Sequence, residues 1–229
     1  EVKVADPDEI EGEGDGSGKS KLLMLNEPIL GDCELEIVNF DDRDAQSAFW
    51  HSSAHILGYA LEQVYEGAQL TIGPSTKDGF FYDFLPQDNR VVKDEGDYKA
   101  IEKAMKTVIG QNHPFEKLLV TKEQALDLFS YNKFKTELIE KKVKDDEITS
   151  VFRVGEFIDL CTGPHIPSTK YVRAFKVTKH SQAYWLGDAK RDSLQRVYGI
   201  SFPQKTMLAD YLKLKEEAKR RDHRLIGTA

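Results

Sequence analysis

The longest regular pattern in the chain begins at Ala45. In AQSAFWHSSAHILGYALEQVY apolar residues return every three or four positions (Phe49, Ile56, Ala60, Val64), and Gly67 follows. That spacing predicts a long helix stopping before the glycine. A period of two then takes over. GFFYDF predicts a strand over 79–84, with Tyr82 and Phe84 on one face and Phe81 and Asp83 on the other. Helical spacing returns over 97–109 and ends at Gly110. Residues 115–120 read as a strand, and Thr121 as the cap of a short helix carrying Glu123 and Leu126. Further strands are expected over 149–153, 156–160, 170–177, 182–186 and 196–202. Pro203 then opens a last helix, with Met207, Leu208, Tyr211, Leu212 and Leu214 ahead of a KRRDHR run. The succession predicts an α+β body over residues 45–221.

Residues 1–20 differ in kind. They are acidic and glycine-rich (EGEGDGSGKS from Glu11) and read as a flexible loop. Two short strand-like pieces follow at 22–25 and 34–38, joined by a turn at Gly31 and Asp32. Residues 1–44 therefore hold too little pattern for a complete domain of their own.

Composition narrows the class. Hydrophobic residues make up 40% of 229, enough for a real core. The two cysteines, Cys33 and Cys161, are far apart and form no disulfide framework, which points to a reducing compartment. No apolar run approaches the roughly 18 residues of a membrane span, so no membrane association is expected. The acidic N-terminus lacks the apolar stretch of a signal peptide. Net charge is −7 but uneven: residues 170–224 hold 14 Lys and Arg against 6 Asp and Glu. A basic C-terminal third permits phosphate contact, and equally describes a solvated helix face.

Two half-motifs carry chemistry. His51 and His55 stand four apart on the predicted long helix, so both imidazoles project from one face. Asp159-Leu-Cys161-Thr-Gly-Pro-His165 sets Cys161 and His165 four apart across a Gly-Pro turn at a strand end, a usual mounting for a site. The combined donors suit zinc. They also suit metal-free hydrolysis, since neutral imidazoles and a thiol can orient and deprotonate water. Each half alone has a bland reading, as helix-face packing or a small buried hydrophobe. Together they use three of the six histidines and one of the two cysteines.

The residues also carry a family resemblance. HSSAH from His51, IGPSTKDGFFYDF from Ile72, YNKFK from Tyr131, IDLCTGPH from Ile158, AYWLGDAKRDSLQRVYGISFP from Ala183 and EEAKRRDHRLIG from Glu216 resemble, in order, the editing domain of threonyl-tRNA synthetases, nearer the cytosolic eukaryotic wording than the bacterial. KLLMLNEPILGDCELEIVNF resembles the second half of the small β-grasp domain that precedes it. The resemblance implies a long helix packed on antiparallel sheet over 45–221, after a partial β-grasp segment in 1–44. Residues 222–229 would begin the linker to a class II catalytic domain, so ATP, a catalytic-domain zinc, aminoacylation and homodimerisation are expected outside this chain.

The implied activity is proofreading, in the cytoplasm: hydrolysis of serine from the 3′ end of tRNA(Thr). A selective site gains only ~1–3 kcal/mol from one methyl, so an error of this kind needs a second site. The resemblance assigns His51, Lys135, Asp159 and Cys161 to the reacting or water-orienting groups. It gives His55, Tyr82 and His165 to the pocket that holds the terminal adenosine or seryl group. It also implies hydrolysis without a required metal, whereas related alanyl-tRNA editing domains bind zinc through a similar His/His/Cys/His set. From the residues alone, Lys135 in its lysine-rich stretch reads as solvated, Tyr82 as core and Asp159 as a turn cap. The alternatives are a zinc-dependent hydrolase of aminoacyl esters and a non-catalytic tRNA-binding module.

Overall fold

The computed structural model describes residues 2–5, 20–87, 90–93 and 95–226. Its centre is helix α1 (Arg43–Val64), started by Asp42, whose carboxylate accepts from the Asp44 and Ala45 amides. Fourteen of its 22 residues are buried, so it is enclosed on nearly every side and not laid on a surface. Full burial of each Leu, Ile or Phe along it is worth about 1.5–3 kcal/mol, which makes this helix the axis of the core.

Among the described residues, three antiparallel sheets and four further helices complete the fold, the two larger sheets packing against this helix. The small first sheet has the order β2-β1-β3, built from β1 (Val2–Ala5), β2 (Ser20–Leu23) and β3 (Glu34–Ile37). The largest contains β4 (Gln69–Leu70), β5 (Ser75–Thr76), β6 (Gly79–Leu85), β10 (Ala174–Tyr184) and β11 (Ser193–Phe202), in the order β10-β11-β6-β4 with β5 also on β6. The third, β7-β8-β9, joins β7 (Glu116–Thr121), β8 (Ile148–Val154) and β9 (Phe157–Leu160). The helices are α2 (Glu95–Gln111), α3 (Lys122–Leu128), α4 (Lys133–Lys142) and α5 (Lys205–Ile226). One core cluster runs from α1 through β6, β11, α2 and β8. The fold is α+β, as the pattern predicts.

Several elements differ from the pattern. Val2–Ala5 forms the middle strand of the small sheet, inside the segment read as loop, where its short alternation of valines pairs with β2 and β3. The expected strands 170–177 and 182–186 are one strand, β10, with an irregularity between Val177 and Lys179. Its exposed middle carries polar residues because it is the edge strand of the sheet, paired on one side only, with β11. Residues 169–171 form a single 3₁₀ turn and Leu186 lies in a turn. Helix α2 runs through Gly110 to Gln111, and Asn112 takes the left-handed conformation after it (φ 55°).

Helix α4 is missed outright by the pattern, as are the two-residue strands β4 and β5. Its signals are present: Asn132 caps the Phe134 and Lys135 amides, and Phe134, Leu138 and Ile139 form a buried face. The lysines around them obscure that periodicity.

Gly58 shows how closely the strand approaches the axis. A Cβ there would lie 2.7 Å from the Tyr82 ring and 3.0 Å from Phe157. Helix propensity favours Gly→Ala by about 1 kcal/mol, whereas overpacking a full core costs about 1–3 kcal/mol. Overpacking should win. Gly58→Ala is therefore expected to destabilise the protein by about 1–2 kcal/mol in urea unfolding; a more stable variant would contradict the packing described.

Candidate active site

All seven residues singled out from the sequence meet beside the middle of α1. His51 and His55 come from α1, Tyr82 from β6, Lys135 from α4, Asp159 from β9, and Cys161 and His165 from the turn after it. A cleft of about 430 Å³ opens there, lined among others by His51, His55, Lys135, Asp159 and Cys161. A larger cleft of about 620 Å³ lies between the β10–β11 ribbon and α5, away from this cluster.

The deepest part is an ion pair. Lys135 is 4% exposed and Asp159 3%, and the Lys135 ammonium donates to Oδ1 of Asp159. Tyr82 donates its hydroxyl to Oδ2 at 2.5 Å. Burial, and then the Asp159 charge, push the Tyr82 phenol well above its usual range, so it stays a neutral donor. His55 Nε2 lies 3.7 Å from the same Oδ2. The expectation of a solvated Lys135 fails for a geometric reason. α4 packs its apolar face inward, and Lys135 follows Phe134 into the cleft wall.

Above the pair sits a layer of neutral groups. Ser52 fixes the tautomer of His165. Its Oγ donates to the Ala48 carbonyl at 2.7 Å and accepts from the Ile166 amide at 3.0 Å, so the contact with His165 Nδ1 at 3.0 Å is filled by Nδ1–H donating. His165 Nε2 is left as an acceptor, 3.3 Å from Cys161 Sγ. The same sulfur is 3.3 Å from His51 Nε2 and accepts from the Gly163 amide at 3.2 Å. Gly163 holds φ +75°, and a Cβ there would strike Phe152 at 2.9 Å, which ties this turn to glycine.

Burial, with the opposing charge of Asp159 a smaller effect, holds His51 below its usual value. Burial and the charges of His51 and Lys135 hold His55 well below it, and burial with His55 and His51 does the same to His165. Burial pushes the Cys161 thiol up to about 12, which leaves it a thiol and unsuited to nucleophilic attack. The site thus offers neutral imidazoles and a thiol beside one buried ammonium.

The ligand atoms of His51, His55, Cys161 and His165 lie within 4.8 Å of one another. Three imidazoles and a thiol are a donor set that fits zinc, and these four would hold it. Four protein ligands complete a tetrahedron, the arrangement of structural zinc sites; a catalytic zinc keeps one position open to polarise water.

Sequence reasoning missed three participants. Ser52 orients His165. Glu62, seven residues after His55 on the same face of α1, has its carboxyl pushed to about 7 by burial and by Asp159. Glu137 on α4 meets Arg191 and Trp185. Only Glu62 carried a signal, its helical spacing from the two histidines.

Residues 149–198 match the threonyl and alanyl tRNA synthetase second additional domain, a stretch that includes Asp159, Cys161 and His165. The matched stretch runs from β8 into β11. It is 47% identical over 205 residues to a probable cytoplasmic threonine–tRNA ligase 1 of Dictyostelium discoideum, covering 90% of this chain and 28% of that protein. It is 49% identical over 205 residues to a mitochondrial threonine–tRNA ligase 1 of Arabidopsis thaliana, covering 89% of this chain and 28% of that protein. The cytoplasmic threonine–tRNA ligase of Saccharomyces cerevisiae is 45% identical over 216 residues, with 89% and 29% covered. The chain thus spans somewhat over a quarter of the length of these relatives. Among the described residues no helix is long and apolar enough to cross a membrane.

The depressed imidazoles set a pH dependence for the stability of the protein. In the unfolded chain they bind protons as pH falls through 6.5, while the folded protein resists until lower pH. Their contribution to stability is complete above 6.5 and is lost progressively below it. Glu62 opposes this, since its folded value near 7 lies above the ordinary 4.5 and favours the folded state as pH falls. Three imidazoles outweigh one carboxyl. The melting midpoint should fall between pH 7 and pH 5, less in His55→Gln and more in Glu62→Gln. A flat profile, or the reverse order of the two variants, would contradict these protonation states.

Proposed function

We propose that this cleft hydrolyses the ester joining a misattached serine to the 3′ end of a tRNA for threonine, as the proofreading part of a threonine–tRNA ligase. The observation that carries the reading is the buried Lys135–Asp159 pair opening onto neutral His51 and Cys161. Proofreading rests on the match to the second additional domain and on the similarity to named threonine–tRNA ligases. Serine as the substrate follows from the physical argument that one methyl gives a synthetic site too little discrimination.

In this mechanism a water in the cleft attacks the ester carbonyl and passes its proton to neutral His51, the imidazole nearest solvent. Lys135 stabilises the oxyanion with N–H bonds left over after Asp159 has taken one. The Gly163 amide is spent on the Cys161 sulfur, so the oxyanion falls to Lys135. The carbonyl–oxygen bond to the ribose then breaks, and the ribose oxygen takes up the proton held on His51. Products are free serine and uncharged tRNA. Asp159 keeps Lys135 in place and offers a remaining lone pair to the seryl ammonium, while His55, Tyr82 and His165 shape the pocket. Cys161 orients water as a neutral thiol. The basic residues of 170–224 supply phosphate contacts to the tRNA.

A second reading is favoured by the compact donor set: zinc held by His51, His55, Cys161 and His165. We prefer the metal-free reading because four protein ligands leave no open position for water.

One assay separates these readings. In single-turnover deacylation the protein should cleave seryl-tRNA(Thr) and spare threonyl-tRNA(Thr), with no change on chelation. Lys135→Ala should lose about 10²–10³ in rate, the usual cost of removing a positioned electrostatic donor, with folding checked by melting. Equal cleavage of both esters would remove the specificity, loss on chelation would favour zinc, and a near-normal Lys135→Ala would remove Lys135 from the chemistry.

A further inference from the structure

Lys135 sits on a short helix that depends on its contacts for its position. At ten residues α4 is below the length at which a helix is stable alone, so tertiary contacts must place it. Its N-terminus is tied by Asn132, whose side-chain amide donates to the Leu70 carbonyl at 2.7 Å. On its outer side stands Glu137, two residues and about 200° round the helix from Lys135.

Glu137 meets three donors. Arg191 forms a bidentate pair with it, at 2.8 and 2.6 Å. The fully buried Trp185 donates its indole N–H at 2.9 Å, and Lys141 donates from the next turn of the helix at 2.6 Å. Trp185 and Arg191 both belong to the turn between β10 and β11. Beneath this contact the Trp185 ring packs edge-on against Phe134, with centroids 5.0 Å apart. Phe134, Leu138, Trp185 and Leu194 form a core cluster of their own. The turn is backbone-strained, with Leu186 at φ 53°. Such strain persists only where surrounding contacts over-determine the conformation.

We infer that Glu137 is a positioning residue for Lys135: the β10–β11 turn, through Arg191 and Trp185, clamps α4 in the rotation that aims the Lys135 ammonium into the cleft. The inference rests on the deacylase reading for its consequence, and on contacts alone for its geometry. A partly exposed ion pair contributes little to stability. Its value here is orientation, because a displacement near 1 Å at a reacting group can cost about 10²-fold in rate. An Arg–carboxylate fork with an added indole donor fixes direction as well as distance.

Two measurements test the clamp, one of rate and one of geometry. The first is single-turnover deacylation of seryl-tRNA(Thr) by wild type, Glu137→Gln, Arg191→Lys, Lys135→Ala and the double variant Glu137→Gln with Lys135→Ala. Glu137→Gln should lose about 10–100-fold in the limiting rate with little change in half-saturation. Arg191→Lys should lose less, since it keeps the charge but not the fork. In the Lys135→Ala background Glu137→Gln should add nothing. A general structural defect would lower the rate in both backgrounds, and that multiplicative loss would overturn the inference.

The second measurement needs no activity. Lysines are acetylated in the folded protein, and Lys135 modification is followed by mass spectrometry relative to the exposed Lys103. Glu137→Gln should raise Lys135 labelling about tenfold or more with the melting midpoint nearly unchanged. If wild type fails to deacylate, the functional reading falls and labelling alone decides the clamp: a rise supports it. Unchanged labelling of Lys135 overturns it in either case.

Discussion

A lysine and an aspartate, each about 5% exposed at the side chain, face each other at the bottom of the cleft. Removing both charges from water costs several kcal/mol per ion, and their attraction offsets this only when the remaining valences are also satisfied. Tyr82 supplies one of the missing bonds, and α4, β6 and β9 must all stand in register for the three groups to meet. As a source of stability such an arrangement is a poor choice compared with leucine and methionine. As a way to hold an ammonium beside a reacting ester it has no apolar substitute.

The neutral layer above the pair depends on the same enclosure. Burial keeps His51, His55 and His165 unprotonated and keeps Cys161 a thiol. The cleft therefore has one mobile proton acceptor near solvent, His51, and one fixed cation, Lys135. A proton acceptor and an electrostatic donor in one cleft is the combination ester hydrolysis requires. Helix α1 makes this possible because it is enclosed on nearly every side, and Ser52 and Ser53 return their hydroxyls to its own carbonyls, so these polar side chains lie in its core with their hydrogen bonds made.

Much of this was legible in the residues. The 3.6 period from Ala45 marks α1, the His51–His55 spacing puts two imidazoles on one face, and the Gly-Pro turn brings Cys161 and His165 together. Lys135 was not legible by pattern. Its neighbours Lys133, Lys141 and Lys142 are exposed or partly so and hide an inward face carried by Phe134, Leu138 and Ile139, so only the family resemblance promoted it. Nor was β10 legible as one strand, because its largely exposed stretch at the edge of the sheet needs no regular alternation. Glu137 gave no signal at all: its partners Trp185 and Arg191 are about fifty residues away, and only tertiary structure joins them.

The most direct test of the account is a stability cycle across the buried pair, using Lys135→Met, Asp159→Asn and the double variant in urea unfolding. Each single change leaves one buried charge uncompensated and should cost about 3–5 kcal/mol. The double variant, with neither charge, should recover most of that loss while remaining inactive in deacylation. Single variants within about 0.5 kcal/mol of wild type, or a double variant whose loss is the sum of the two, would contradict a coupled, buried Lys135–Asp159 pair at the centre of the site.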